Sequence, residues 1–242
     1  MLVGGARSAP AAWKHPRQHS RVREPITRGV ARATRRGVAA PSVCAAAKKT
    51  VLVPIADGSE EIELVSAIDT FVRAGLEVTV AACSQELNVT ASRGVQITAD
   101  VLLADVDGAA CFDAVVVPGG MPGAEHLAAS EKLASILASQ RSSSRLVAAI
   151  CAAPAVVLHP AGLLDARATS HPAFRGHIDG SGVEYSEDAV VVDGSVVTSR
   201  GPGSALEWAL TIVGLLLGRE KAMEVAEPMC LPREVMERLR SL

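Results

Sequence analysis

Short runs of β-branched and small apolar residues recur after residue 48 and alternate with stretches of helical period. Residues 49–55 (KTVLVPI) read as a buried first strand. Residues 56–59 form a turn that offers Asp57 or Ser59 as a helix N-cap. From Glu60 the period becomes helical, with Ile62, Val65, Ile68 and Val72 on one apolar face and Phe71 beside them. Gly75 stands where a left-handed residue ends such a helix. Residues 76–82 predict a second strand, and the weak alternation over 89–100 predicts a hairpin or edge strand. Residues 112–117 are a buried strand running into a glycine-rich turn at 118–123, followed by a helix to about Gln140. Residues 145–150 are the next strand, Cys151 ends it, and a short helix covers 152–158. A loop surrounds His171, and residues 190–198 form a hairpin on an Asp193-Gly194 turn. A long apolar helix spans 203–218, and an amphipathic helix closes the chain over 232–242.

Strands that alternate with helices specify parallel βαβ units and a doubly wound α/β fold. In such sheets ligands bind beyond the carboxyl ends of the strands. Three segments lie there: the turn after the first strand, the Gly119-Gly120 turn, and Cys151.

Charge divides the chain. Residues 1–49 carry eleven Lys/Arg against one acid, Glu24, whereas the remainder carries thirteen against twenty-five and is net acidic by 12. The basic part is rich in Ala, Ser and Pro and has no apolar periodicity, so residues 1–48 read as a disordered organelle transit peptide. The run Val43-Cys44-Ala45-Ala46 resembles plastid processing sites, which points to the chloroplast, with the mitochondrion as the alternative. A basic tail that binds nucleic acid is the rival reading of this segment. For the acidic remainder no nucleic-acid partner is expected. No apolar run reaches the ~18 residues needed to span a bilayer, so no membrane partner is expected either. The five cysteines form no CxxC pair, and no histidine stands at zinc-ligand spacing, so neither a disulfide framework nor a metal site is expected.

A lone cysteine is most often an inert small hydrophobe. At Cys151, however, a strand of small apolar residues turns straight into a helix, projecting the side chain from a tight elbow. A helix start lowers a thiol pKa, and the following amide, from Ala152, faces the place where an oxyanion would form. Glu63 reads either as a solvated acid in a first helical turn or as a partner for that thiol.

The elbow Ala148-Ala149-Ile150-Cys151-Ala152-Ala153-Pro154 resembles the cysteine elbow of the DJ-1/PfpI superfamily, most closely its DJ-1 branch. Further segments agree in order: Asp57-Gly58-Ser59-Glu60-Glu61-Ile62-Glu63, Arg73-Ala74-Gly75, Ser92-Arg93-Gly94 and Val117-Pro118-Gly119-Gly120. Thr169-Ser170-His171-Pro172 and Thr198-Ser199-Arg200-Gly201-Pro202-Gly203 complete the series. The resemblance implies a flavodoxin-like sandwich over residues 49–228, followed by a helical tail at 229–242. It implies Cys151 as nucleophile, Glu63 as its hydrogen-bonding acid and His171 near the elbow. It further implies Gly119, Gly120 and Ala152 as oxyanion donors or pocket residues, Gly201 and Pro202 as pocket wall, and Arg73 and Arg93 near the pocket or a subunit boundary. The superfamily's protease-like branch has His directly after the cysteine. Ala152 stands there in this chain, which disfavours proteolysis.

The activity so implied is that of a glutathione-independent glyoxalase. It would convert methylglyoxal or glyoxal to lactate or glycolate through a Cys151 hemithioacetal, with protein deglycation as a related activity. It needs no cofactor. The alternative is a chaperone that senses oxidants through Cys151. The resemblance also implies a homodimer, with the aliphatic surface of the first helix as the contact.

Overall fold

The computed structural model describes residues 48–107 and 112–241. The expected transit segment, apart from Lys48, lies outside the described residues, as do Cys44 and Cys111. The described residues form one compact unit.

Strand β1, Thr50–Ile55, is buried from Val51 onward, and Asp113 anchors its start. The Asp113 carboxylate accepts from the Thr50 amide and from Lys49 Nζ, each at 2.8 Å. Helix α1, Glu61–Ala74, follows and ends on Gly75, whose φ of 84° is the left-handed conformation that glycine adopts without strain. Strand β2, Glu77–Ala82, then pairs parallel with β1. The weakly alternating segment folds as an antiparallel hairpin, β3 (Asn88–Thr90) with β4 (Gln96–Thr98). The short strand β5, Val101–Leu102, returns to pair with β2. Strand β6, Ala114–Val117, leads into helices α2 (Gly123–Ala128) and α3 (Glu131–Ser142). Strand β7, Leu146–Ile150, carries the elbow, and a π-helical turn, Pro154–Leu158, follows it. Strands β8 (Arg167–Ala168) and β9 (Glu184–Tyr185) pair with each other and flank the short helix α4, Arg175–Ile178. Strands β10 (Val190–Asp193) and β11 (Val196–Ser199) are the expected hairpin. Helices α5 (Ala205–Leu217), α6 (Arg219–Ala226) and α7 (Arg233–Arg240) end the chain.

The main sheet has the order β10-β11-β7-β6-β1-β2-β5 and is parallel except for β10. Apolar clusters cover both faces, as strands that are hydrophobic throughout require. One cluster sets Phe71 of α1 and Trp208 and Ile212 of α5 against Val53 and Val116. The other sets Leu133 and Leu137 of α3 against Val115 and Val147. Each fully buried large side chain contributes roughly 1.5–3 kcal/mol. The result is a flavodoxin-like doubly wound α/β sandwich. Helix α7 belongs to the first cluster, because Leu239 is buried in it. On the same helix Arg238 forms a two-pronged ion pair with Glu207 of α5.

Of the apolar stripe of α1, Ile62, Val65 and Val72 are each more than half exposed, whereas Ile68 packs against the first core cluster. The buried positions are instead Glu61, Glu63, Leu64, Ala67, Thr70, Phe71 and Ala74. Two other local expectations are corrected. The N-cap of α1 is neither Asp57 nor Ser59 but Glu60, whose Oε2 accepts from the Glu63 amide at 2.8 Å. The Asp57 and Ser59 oxygens are used elsewhere, on the amides of Thr90 and Ala56. Finally, the helix expected up to Gln140 is two helices, because the Ser130 hydroxyl caps Leu133 and starts α3 afresh.

Candidate active site

The strand order reverses between β1 and β6, since β1 continues to β2 on one side while β6 continues to β7 on the other. The turns after β1, β6 and β7 meet beyond the carboxyl ends of these strands, the usual binding crevice of an open α/β sheet.

Cys151 is the first residue after β7 and has φ of 63°. A side chain with a Cβ pays roughly 1–3 kcal/mol for that conformation, so neighbouring bonds must impose it. They do: the Cys151 amide donates to Ser199 O at 2.9 Å, and its carbonyl accepts from the His171 amide at 2.8 Å. The elbow is thereby tied to the ends of two other segments. Ala152 and Ala153 are fully buried and small enough to let the chain turn. The amides of Gly120 and Ala152 hydrogen-bond the Cys151 sulfur and favour its anion.

Glu63 reaches the elbow from the first turn of α1 and is fully buried. Its Oε2 accepts from the Gly119 amide at 2.8 Å, and its Oε1 has no conventional hydrogen-bond partner. Burial is the largest influence on this carboxyl and pushes it up to about 7, with the nearby Glu60 adding to the rise. The Gly119 amide and the Cys151 thiol act in the opposite direction. Burial likewise pushes the Cys151 thiol up, to about 12, and the charge of Glu63 adds to the rise. A thiol lowered by a helix start is therefore not what surrounds Cys151 while Glu63 is ionised. Two negative charges cannot share this dry space, so the pair holds one proton when it carries one charge. A protonated Glu63 removes the repulsion and can donate to sulfur, and the two amides then stabilise a thiolate.

A cavity of about 270 Å³ opens over the sulfur. Its wall includes Gly120, Ala152, His171, Pro202 and Arg93, all of the expected set. His171 caps a single helical turn, its Nδ1 accepting from the Ala173 amide at 3.2 Å. That bond leaves Nε2 as the ring's proton-bearing nitrogen in the neutral state. The Gly119 amide is committed to Glu63, and the Gly120 amide is the glycine N–H that faces the sulfur. Gly201 lines a neighbouring cavity with His171 and Arg200 rather than the Cys151 cavity. Arg73, expected near the pocket or a subunit boundary, lies at the exposed end of α1, paired with Asp69 at 2.7 Å and outside the cavity wall.

Sequence reasoning passed over Glu60, Ser92, Met121 and Phe174, which also line the cavity. The signal for Glu60 was the acid-dense helix start Glu60-Glu61-Glu63, in which each acid has a separate task. Glu60 caps α1, and Glu63 faces the thiol. Glu61 accepts from the Ser92 hydroxyl and the Arg93 amide, each at 2.8 Å, which fixes the loop that carries Arg93. Burial opposes the Glu61 charge, but these donors and its own amide outweigh it and hold the carboxyl below its ordinary value.

Among the described residues no group of three or more His, Cys, Asp or Glu side chains is placed to hold a metal ion. Cys83, Cys151 and Cys230 are free thiols. No helix among these residues is long and apolar enough to cross a membrane.

Known proteins share this arrangement of segments. A profile of the DJ-1/PfpI family matches residues 49–215. The chain is 48% identical over 179 residues to "Protein DJ-1 homolog B" of Arabidopsis thaliana, which covers 73% of this chain and 40% of that protein. It spans less than half the length of each of the two Arabidopsis relatives it matches. It is 39% identical over 189 residues to "Glutathione-independent glyoxalase DJR-1.2" of Caenorhabditis elegans, covering 78% of this chain and all of that protein. Among solved structures, "Toxoplasma gondii DJ-1, oxidized" superposes with a TM-score of 0.72 at 42% identity. That match covers 75% of this chain and 97% of the other.

Proposed function

The chain belongs to the DJ-1/PfpI family, within its DJ-1 branch, and from that premise we propose that it is a glutathione-independent glyoxalase acting on methylglyoxal and glyoxal. One observation carries the reading: a strained, amide-cradled thiol opens to a small cavity and is backed by a buried acid, Glu63, that burial pushes up to about 7. The name of the C. elegans relative supports it.

In this reading Cys151 Sγ adds to the aldehyde carbon of methylglyoxal, a C–S bond forms, and the aldehyde oxygen takes a proton. The amides of Gly120 and Ala152 hold the developing oxyanion. Glu63, with His171, removes the proton from the former aldehyde carbon and returns one to the adjacent carbon through an enediol, leaving a thioester. Water adds to the thioester, the C–S bond breaks, lactate departs and the thiol regains its proton. Deglycation of early methylglyoxal adducts on proteins uses the same thiol.

The test is loss of methylglyoxal and appearance of lactate without glutathione, in the parent, Cys151→Ala and Glu63→Gln. Turnover in the parent, none in Cys151→Ala and a large loss in Glu63→Gln are expected. Full activity in Cys151→Ala sinks the reading.

A second reading, an oxidant sensor with chaperone action, is favoured by the relative solved in an oxidised state. Selective oxidation of Cys151 by peroxide, with altered client protection and negligible aldehyde turnover, would place the function there. The basic extension supports delivery to the chloroplast, and the exposed aliphatic stripe of α1 supports a homodimer.

A further inference from the structure

The wall of the Cys151 cavity that carries His171, Ala173 and Phe174 continues directly into Arg175. A second wall residue, Pro202, lies two positions after Arg200. Between these arginines stands Glu187, on the connection from β9 to β10. Its Oε1 pairs with Arg175 at 2.9 Å, and its Oε2 pairs with Arg200 at 2.8 Å. Its carbonyl also accepts from Arg200 at 2.9 Å. Two residues earlier, the Tyr185 ring lies 4.9 Å beneath the Arg175 guanidinium, and its hydroxyl donates to Ser170 O at 2.9 Å. The 185–187 segment thus grips the His171 loop at both ends and the Pro202 loop at its root.

We propose that Glu187 is a positioning residue: one carboxylate clamps the two segments that carry His171 and Pro202 into the wall of the Cys151 cavity and sets how far they stand apart. An isolated exposed ion pair contributes little. Here one carboxylate bridges two guanidiniums that would otherwise repel each other, and the elements it joins share no backbone ladder with each other. Asp179 also pairs with Arg175, at 2.7 Å, but it stands just past the end of the same short helix, so this pair stays within one segment. Removing the Glu187 charge therefore loosens the Arg175 end of the His171 loop, while the His171 amide stays bonded to the Cys151 carbonyl and the Thr169 amide to Thr198 Oγ1.

For the catalytic reaction this inference rests on the function proposed above, so its test includes a readout that does not depend on turnover. Cys151 alkylation at one fixed pH by iodoacetamide and by the bulkier N-ethylmaleimide, both neutral reagents, is followed by mass spectrometry in the parent, Glu187→Gln and Arg175→Gln. Glu237→Gln, which breaks an exposed pair on α7, serves as control. In Glu187→Gln the rate with the bulkier reagent relative to iodoacetamide should rise several-fold, with a smaller rise in Arg175→Gln and none in Glu237→Gln. Added salt should raise the parent's ratio toward that of the variant and leave the variant's unchanged. Equal ratios in the parent and Glu187→Gln overturn the proposal. So does an equal rise with both reagents, which would mean that Glu187 acts only through its charge on the thiol. If Glu187→Gln fails to fold, Arg175→Gln decides by the same criterion. KM for methylglyoxal should rise several-fold in Glu187→Gln with a smaller change in kcat. Absence of turnover in the parent defeats the glyoxalase reading, while the alkylation ratios still decide the clamp.

Discussion

The Gly119 amide donates to Oε2 of Glu63 across 2.8 Å and joins the loop after β6 to the first turn of α1. This bond holds the buried acid against the thiol and occupies an amide that would otherwise face the oxyanion. A Cβ at Gly119 would lie 2.5 Å from Cys151 Cβ, 2.8 Å from Ile150 O and 2.9 Å from Glu63 Oε2. Two of these neighbours are fixed by the elbow, so the loop itself must move. Gly119→Ala should lose about 1–3 kcal/mol in urea unfolding and slow Cys151 alkylation. Unchanged stability would show that the loop yields freely.

Glu63 ties stability to pH. An acid whose pKa is higher in the folded state binds more protons there than in the unfolded chain. Its carboxyl sits at about 7 against an ordinary 4.5. Its contribution is fully present below about 4.5, falls as pH rises through about 7 and levels off above, a loss on the order of 3 kcal/mol. Glu63→Gln lacks this group. Unfolding free energies measured from pH 4.5 to 8 should therefore decline more steeply in the parent than in the variant, and parallel profiles would contradict the assignment.

Glu60 caps α1 and raises the Glu63 carboxyl by its charge. Glu60→Gln keeps an oxygen for the Glu63 amide and removes the charge. The Glu63 titration, followed by carboxyl NMR, should move to lower pH with little loss of helix stability. No movement would mean that solvent screens the two acids from each other.

Helix α7 is held by Leu239, which is almost wholly buried beside α5 and α6. Leu239→Ala should cost about 2–4 kcal/mol by leaving a cavity in the main core cluster. A smaller loss would mean that α7 can detach while the rest of the unit stays folded.

The exposed stripe Ile62, Val65 and Val72 is the proposed contact between two copies. The chain without its basic extension should sediment as a dimer, and Val65→Glu should sediment as a monomer with its unfolding midpoint shifted. A parent that sediments as a monomer would remove this contact.

The sequence by itself determined the layers. Short β-branched apolar runs alternating with helical stretches fit strands covered on both faces, so the parallel βαβ units and the positions of the Gly120 and Cys151 turns were legible from local pattern. It also marked the residues of the elbow, because small side chains must flank so tight a turn. Tertiary structure alone decided the orientation of α1. Its hydrophobic period shows that one face avoids water, but a core and a partner's surface satisfy that period equally well. The actual inward face carries two acids, Glu61 and Glu63, which no apolar count would select. Tertiary structure also decided which glycine amide is free, because Gly119 finds its acceptor 56 residues away in the chain. The direction in which the Cys151 thiol is pushed was decided in the same way. A helix start beside the thiol argues for a low pKa, yet burial and the facing Glu63 outweigh it, and both come from segments that only the folded chain brings together.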